Sequence, residues 1–73
     1  GGPKTEVKSP LPGITVKIFV KPGDTVAKNQ PLFTLEAMKM ENEIKAERDG
    51  VISGVKVTGG QTVLQDEVIM EMD

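Results

Sequence analysis

The sequence predicts an all-β domain of about eight short antiparallel strands, four in each of two related halves. Three observations carry that reading. Shifted by 37 residues, the chain aligns with itself: Glu6 falls on Glu43, Lys8 on Lys45, Gly13 on Gly50, Val20 on Val57, Gly23 on Gly60, Thr25 on Thr62 and Val26 on Val63. Apolar slots keep the same register, Val7 with Ile44, Ile14 with Val51, Ile18 with Val55, Leu32 with Ile69, Phe33 with Met70 and Leu35 with Met72. Second, β-branched residues alternate with polar ones, as half-buried strands require. Third, eight Gly and five Pro interrupt nearly every window of ten, which helices do not tolerate.

Residues 1–4 read as the end of a linker and 5–73 as the domain. Val16–Val20 and Val55–Val57 read as strands, and Pro12-Gly13 and Asp49-Gly50 start the longest strand of each half. Pro22-Gly23-Asp24 and Gly59-Gly60-Gln61 end it, with glycine supplying the positive φ of a tight turn. Thr25-Val26 and Thr62-Val63 begin a short strand. Pro31–Leu35 and Glu67–Met72 form the last strand of each half. Val16 corresponds to Ser53, so that slot either points outward or sits at a bulge. The expected core is Val20, Val26, Leu32, Leu35, Ile44, Val57, Val63 and Ile69, with Met70 and Met72 as further core residues. Two four-stranded halves can close their sheets on one another and hide their edges.

Size and composition exclude several functions. Seventy-three residues make one small domain, near the limit at which a core alone supplies roughly 3–5 kcal/mol. With no Cys and no His, the usual zinc and haem ligands and any disulfide are missing. A net charge of -2 with interspersed signs leaves no basic stripe for nucleic acid. No apolar stretch reaches the length of a membrane span, and the N-terminus lacks a signal-peptide pattern. Ser9 and Ser53 are the only serines and have no His or Cys to work with. The sequence therefore predicts no catalysis by this chain alone.

The pentapeptide Glu36-Ala37-Met38-Lys39-Met40 lies at the junction of the two halves. A lysine there belongs at the tip of a connecting hairpin. Met38 and Met40 have only N-terminal residues as repeat counterparts, so the core does not demand apolar residues at those positions. Two apolar side chains flanking an exposed lysine mark a recognition surface. Glu36, Glu41 and Glu43 surround it and favour the charged ammonium. They serve either as contacts for a modifying enzyme or as a solvated acidic rim. The alternation of side chains along a strand argues against a metal site built from them.

The motif resembles the biotin-attachment site of biotin carboxyl carrier domains, and the resemblance covers the chain from about Glu6 to Met72. It implies a flattened eight-stranded β-barrel or sandwich with a pseudo-two-fold axis. It also implies biotin joined covalently to Lys39, with Glu36, Ala37, Met38 and Met40 as the recognition motif. In that family the biotin ring carries a carboxyl group between two active sites of a carboxylase, decarboxylase or transcarboxylase. The implied partners are a biotin protein ligase and the biotin carboxylase and carboxyltransferase components. The implied location is the cytoplasm, or the mitochondrial matrix in a eukaryote. The lysine stem and biotin side chain together reach on the order of 12–14 Å.

Two alternatives share the fold. Lipoyl domains carry their cofactor on the equivalent lysine but typically show Asp-Lys-Ala, from which Met38-Lys39-Met40 departs on both sides. An unmodified barrel-sandwich adaptor needs no lysine at the tip. Symmetry adds one geometric expectation. Lys39 corresponds to Gly2 and Asp73 to Glu36, so Lys39 belongs at one pole and both termini at the other.

Overall fold

The computed structural model describes residues 4–73 and contains β1 (Thr5–Lys8), β2 (Gly13–Ile18), β3 (Thr25–Val26), β4 (Pro31–Ala37), β5 (Met40–Lys45), β6 (Gly50–Val55), β7 (Thr62–Val63) and β8 (Val68–Met72). The linker read at residues 1–4 lies outside the described residues apart from Lys4, and so does Gly2. The strands form two antiparallel sheets, ordered β1-β8-β6-β3 and β5-β4-β2-β7. The 37-residue shift converts β1 to β5, β2 to β6, β3 to β7 and β4 to β8, and so turns the first sheet order into the second. The expected pseudo-two-fold is present strand by strand. The two sheets are not the two halves, however, because each sheet takes two strands from each half. The result is a flattened sandwich of 37 × 18 × 16 Å.

Strand ends differ from the expectation in detail. β2 and β6 begin at the glycines but stop at Ile18 and Val55, so Val20 and Val57 lie just beyond them. Both are nevertheless buried. β2 is not the longest strand of its half, because β4 continues into a hairpin and reaches seven residues. β6 only equals β5 at six. At the Val16/Ser53 slot, both readings hold. The register jumps between Thr15 and Lys17 and between Ile52 and Gly54, and both bulged side chains are exposed.

The core contains Val20, Val26, Leu32, Leu35, Val57, Val63, Ile69, Met70 and Met72 as expected, together with Phe33, Ala37, Ala46 and Ile52. Ile44 is the exception, half-buried against the core because β5 is an edge strand with a neighbour on one side only. Thr15 occupies the slot that Ile52 fills in the other half, and both are fully buried. Its hydroxyl donates to the Thr58 carbonyl at 2.8 Å and accepts from the Gln61 N–H at 3.2 Å. Those bonds offset its desolvation. No buried side-chain polar atom lacks a partner among the described residues.

Gly13 and Gly50 show why glycine opens β2 and β6. A Cβ at Gly13 would be driven into the Glu36 carbonyl, and one at Gly50 would sit 2.7 Å from the Asp73 carbonyl oxygen. Glu36 and Asp73 are themselves repeat partners, so one close approach is built twice. β1 and β8 meet beside the end of β5 that is opposite the β4–β5 turn. Thr5 pairs with Met72, and both line a cleft with Ile44, Lys45 and Arg48. Lys45 is roughly 17 Å along β5 from Met40 at the ordinary strand rise. Arg48 donates to the Thr5 hydroxyl at 2.7 Å and to the Asp73 carbonyl at 3.1 Å, holding the two ends together.

Candidate functional site: the turn between β4 and β5

β4 and β5 pair from Phe33↔Ile44 through Leu35↔Asn42 and Glu36↔Glu41 to Ala37↔Met40. Only Met38 and Lys39 remain to make the turn. Both adopt the left-handed conformation, with φ of 54° and 63°. A two-residue loop with two positive φ values is the hairpin whose twist matches its strands, and it normally takes Asn-Gly or Asp-Gly. Methionine and lysine there cost about 1–2 kcal/mol each relative to a right-handed residue. The flanking structure over-determines the turn. Leu35 and Ala37 are buried, and the Gly13 backbone presses against Glu36. The Asn42 amide reaches the Leu35 and Met40 carbonyls at 3.4 and 3.3 Å.

The side chains divide sharply. Met38 is 83% exposed and Met40 65%, whereas Ala37 is buried at 4%. Lys39 is exposed, and its ammonium makes no ion pair or hydrogen bond with the described residues. The carboxylates expected to surround it are near in sequence but do not reach it. Glu43 instead approaches Lys45 at 3.9 Å.

The expected alternation of the glutamates is corrected. Glu36 stands directly opposite Glu41 across the pair of strands, and Glu43 is two residues further along β5. Residues so related share a face, so all three point outward. Two like charges in direct cross-strand opposition do not stabilise a sheet. Among the described residues, no group of three His, Cys, Asp or Glu side chains is placed to hold a metal ion.

The structure therefore brings Glu36, Ala37, Met38, Lys39 and Met40 together as one tip. Ala37 acts as its buried anchor and the other four form its exposed surface. Sequence reasoning missed Asn42. Its signal was a polar residue at the inward-facing position between Met40 and Ile44, where alternation asks for an apolar one. An exposed primary amine without a partner, on a stem held at a rigid apex, can be acylated without disturbing the core. It fits covalent attachment of an acyl-linked cofactor.

The family model for biotin-requiring enzymes, which spans biotinyl and lipoyl domains, matches residues 5–72. The chain belongs to this family. Within it, the biotin carboxyl carrier proteins are similar in sequence. The biotin carboxyl carrier protein of Streptococcus mutans is 56% identical over 55 residues, covering 75% of this chain and 42% of that protein. The biotin carboxyl carrier protein of acetyl-CoA carboxylase from Solanum lycopersicum is 46% identical over 57 residues, covering 78% and 81%. The propionyl-CoA carboxylase alpha chain of Ruegeria pomeroyi is 44% identical over 64 residues, which make up 88% of this chain and 9% of that one. This biotinyl-family chain thus spans less than half of the first of these relatives and under a tenth of the carboxylase chain.

Solved structures that share its fold include a carboxylase and a lipoyl domain. A single-chain long-chain acyl-CoA carboxylase superposes with a TM-score of 0.89 at 26% identity, covering 94% of this chain and 7% of that one. The lipoyl domain of the 2-oxoglutarate dehydrogenase complex of Azotobacter vinelandii superposes at 0.82 with 28% identity, covering 93% and 94%.

Proposed function

We propose that Lys39 carries biotin through an amide bond and that the domain is the non-catalytic carboxyl carrier of a biotin-dependent enzyme. One observation carries the reading: an exposed, unpaired lysine at the apex of a strained turn, between two methionines that the core does not use. Strain of this kind persists where function requires the geometry. The carrier names among the similar proteins support biotin over other acyl-linked cofactors.

The residues divide the work. The Lys39 amine attacks the acyl carbon of activated biotin, the amide N–C bond forms, and the adenylate leaves. The amine proton passes to the biotin protein ligase, because the chain places no base beside Lys39. Ala37 anchors the apex, and Met38 and Met40 present an apolar collar to the enzymes that approach it. Biotin, when bound, supplies a ureido nitrogen on which a carboxyl group travels. The domain raises that group's effective concentration at the biotin carboxylase and carboxyltransferase components, in the cytoplasm or the mitochondrial matrix.

The fold match to a lipoyl domain makes lipoylation the second reading. Intact mass after expression with a biotin ligase, followed by peptide mapping, separates them. The expected result is one biotinyl group, on Lys39, and none on Lys39→Arg. A lipoyl mass, or biotin retained on Lys39→Arg, overturns the assignment.

A further inference from the structure

The pseudo-two-fold provides an internal control for which surface residues the fold requires. The outer face of the sheet that carries the tip has an apolar stripe along β2 and beyond, Ile14, Val16 and Phe19, each 41–44% exposed. The same backbone positions on the other sheet hold Val51, Ser53 and Lys56. There Lys56 makes an ion pair with Glu71 at 3.3 Å, and the positions equivalent to that pair are Phe19 and Thr34. The fold thus accepts polar residues at the slots of Val16 and Phe19, so packing does not account for an apolar pair there.

Across the strands, Ile14 stands opposite Glu36, which stands opposite Glu41. The stripe is therefore continuous with the row of Glu36, Glu41 and Glu43 beside the tip. Its cations are already engaged, Lys17 over the Phe19 ring at 5.7 Å and Lys45 beside Glu43 at 3.9 Å. The face is apolar along one side and acidic along the other, with Lys39 at its end.

We infer that this face docks the enzyme that acylates Lys39, through a surface with an apolar recess edged by Lys or Arg side chains. Reach argues for that partner. The Lys39 amine extends only about 6 Å from its backbone, so an enzyme that acylates it must seat the body of the domain. Enzymes that act on a cofactor arm meet a group held well clear of the body. The inference rests on Lys39 being the biotinylated residue.

The test exchanges the residues of one half for those of the other. Val16→Ser with Phe19→Lys should fold, since Ser53 and Lys56 occupy the same backbone, and its Tm should stay within about 3 °C of the unaltered domain. With a purified biotin protein ligase, ATP and biotin, the variant should raise KM at least tenfold, with kcat nearly unchanged. Ser53→Val with Lys56→Phe, the mirror exchange, should leave KM unaltered. Glu41→Gln should weaken the ionic-strength dependence of KM. An unchanged KM for the first variant overturns the inference, including the case in which only later carboxyl transfer slows, because another partner then uses the face. If the unaltered domain takes no biotin at Lys39, it is the attachment reading that fails.

Discussion

Residues 21–30 and 58–67 form the same loop twice with different side chains. The Lys21 N–H donates to the Asp24 carboxylate at 3.0 Å, and the Thr58 N–H donates to the Gln61 amide oxygen at 3.1 Å. The Ala27 N–H donates to Gln30 at 3.0 Å, and the Leu64 N–H to Glu67 at 2.9 Å. Asn29 and Asp66 are left-handed in both copies, as are Gly23 and Gly60. A backbone requirement is met here by whichever acceptor or permissive residue is at hand. The β4–β5 turn is different. It too needs two left-handed residues, yet it uses methionine and lysine where the repeated loops use Asn, Asp and Gly. Where the two halves agree, folding dictates the residue. This turn departs from the rule, and its methionine and lysine are not the residues that folding favours there.

The strongest way to break that comparison is at the close approaches. Gly13→Ala forces a Cβ into a backbone carbonyl and should cost about 3 kcal/mol or more. Gly23→Ala meets open space and should cost only about 1 kcal/mol through its positive φ. Urea denaturation of the two variants should separate them clearly, and equal losses would mean that β2 and β4 are not pressed together at Gly13.

Next come the symmetric core positions. Val57→Ala and Val20→Ala should each cost about 1–3 kcal/mol. Their exposures of only 7% and 8% predict losses that agree closely, and a large difference in denaturation midpoint would show that the halves do not share the core equally.

At the turn the sign reverses. Met38→Gly removes a left-handed methionine and should raise stability by about 0.5 kcal/mol, after allowance for the added backbone freedom. Met38→Leu and Met40→Leu should leave Tm nearly unaltered, because both side chains are exposed, while slowing carboxylation of the biotin proposed on Lys39 or transfer from it. A marked fall in Tm for either leucine variant would make these methionines part of the packing.

The smallest effect concerns Asp24. Hydrogen bonds from Lys21, the backbone N–H first and the ammonium second, hold its carboxyl below the ordinary value of 3.8. A depressed carboxylate stabilises the fold above its unfolded value, and that contribution fades as pH falls through the folded one. Asp24→Asn, which imitates the amide of Gln61, should flatten the Tm–pH curve below about pH 4 and lower Tm slightly at neutrality, where the carboxylate's contribution is fully present. An NMR titration of Asp24 at or above the ordinary value would contradict this.

Much of this architecture was legible because duplication wrote it twice. Paired glycines marked the starts of β2 and β6, and paired Thr-Val dipeptides marked both short strands. Even the mismatch of Val16 with Ser53 located a pair of bulges. The exchange of strands between halves was not legible, since a repeat reports which segments are equivalent and not which ones pair. Ile44 was misjudged for a related reason: edge position is a property of the sheet, not of the alternation pattern. The shared face of Glu41 and Glu43 follows from their spacing of two along β5, whereas the place of Glu36 does not, because parity along one strand says nothing about residues opposed across a turn. Thr15 and Asn42 were hidden because their partners are backbone carbonyls and amides, which no sequence displays.

The strand exchange has a consequence for synthesis. β8 is an inner strand of its sheet, flanked by β1 and β6. While the ribosome is still adding Val68 to Met72, β1 has no partner and the sheet is split at its centre. The β4–β5 hairpin is local and can form long before that, but the opposing sheet that completes the sandwich behind it cannot close until Met72 has emerged. An enzyme that reads the finished tip together with the sheet beneath it therefore meets its substrate only after the last strand is in place. Incomplete chains, though they already contain Lys39, do not present it in the same setting.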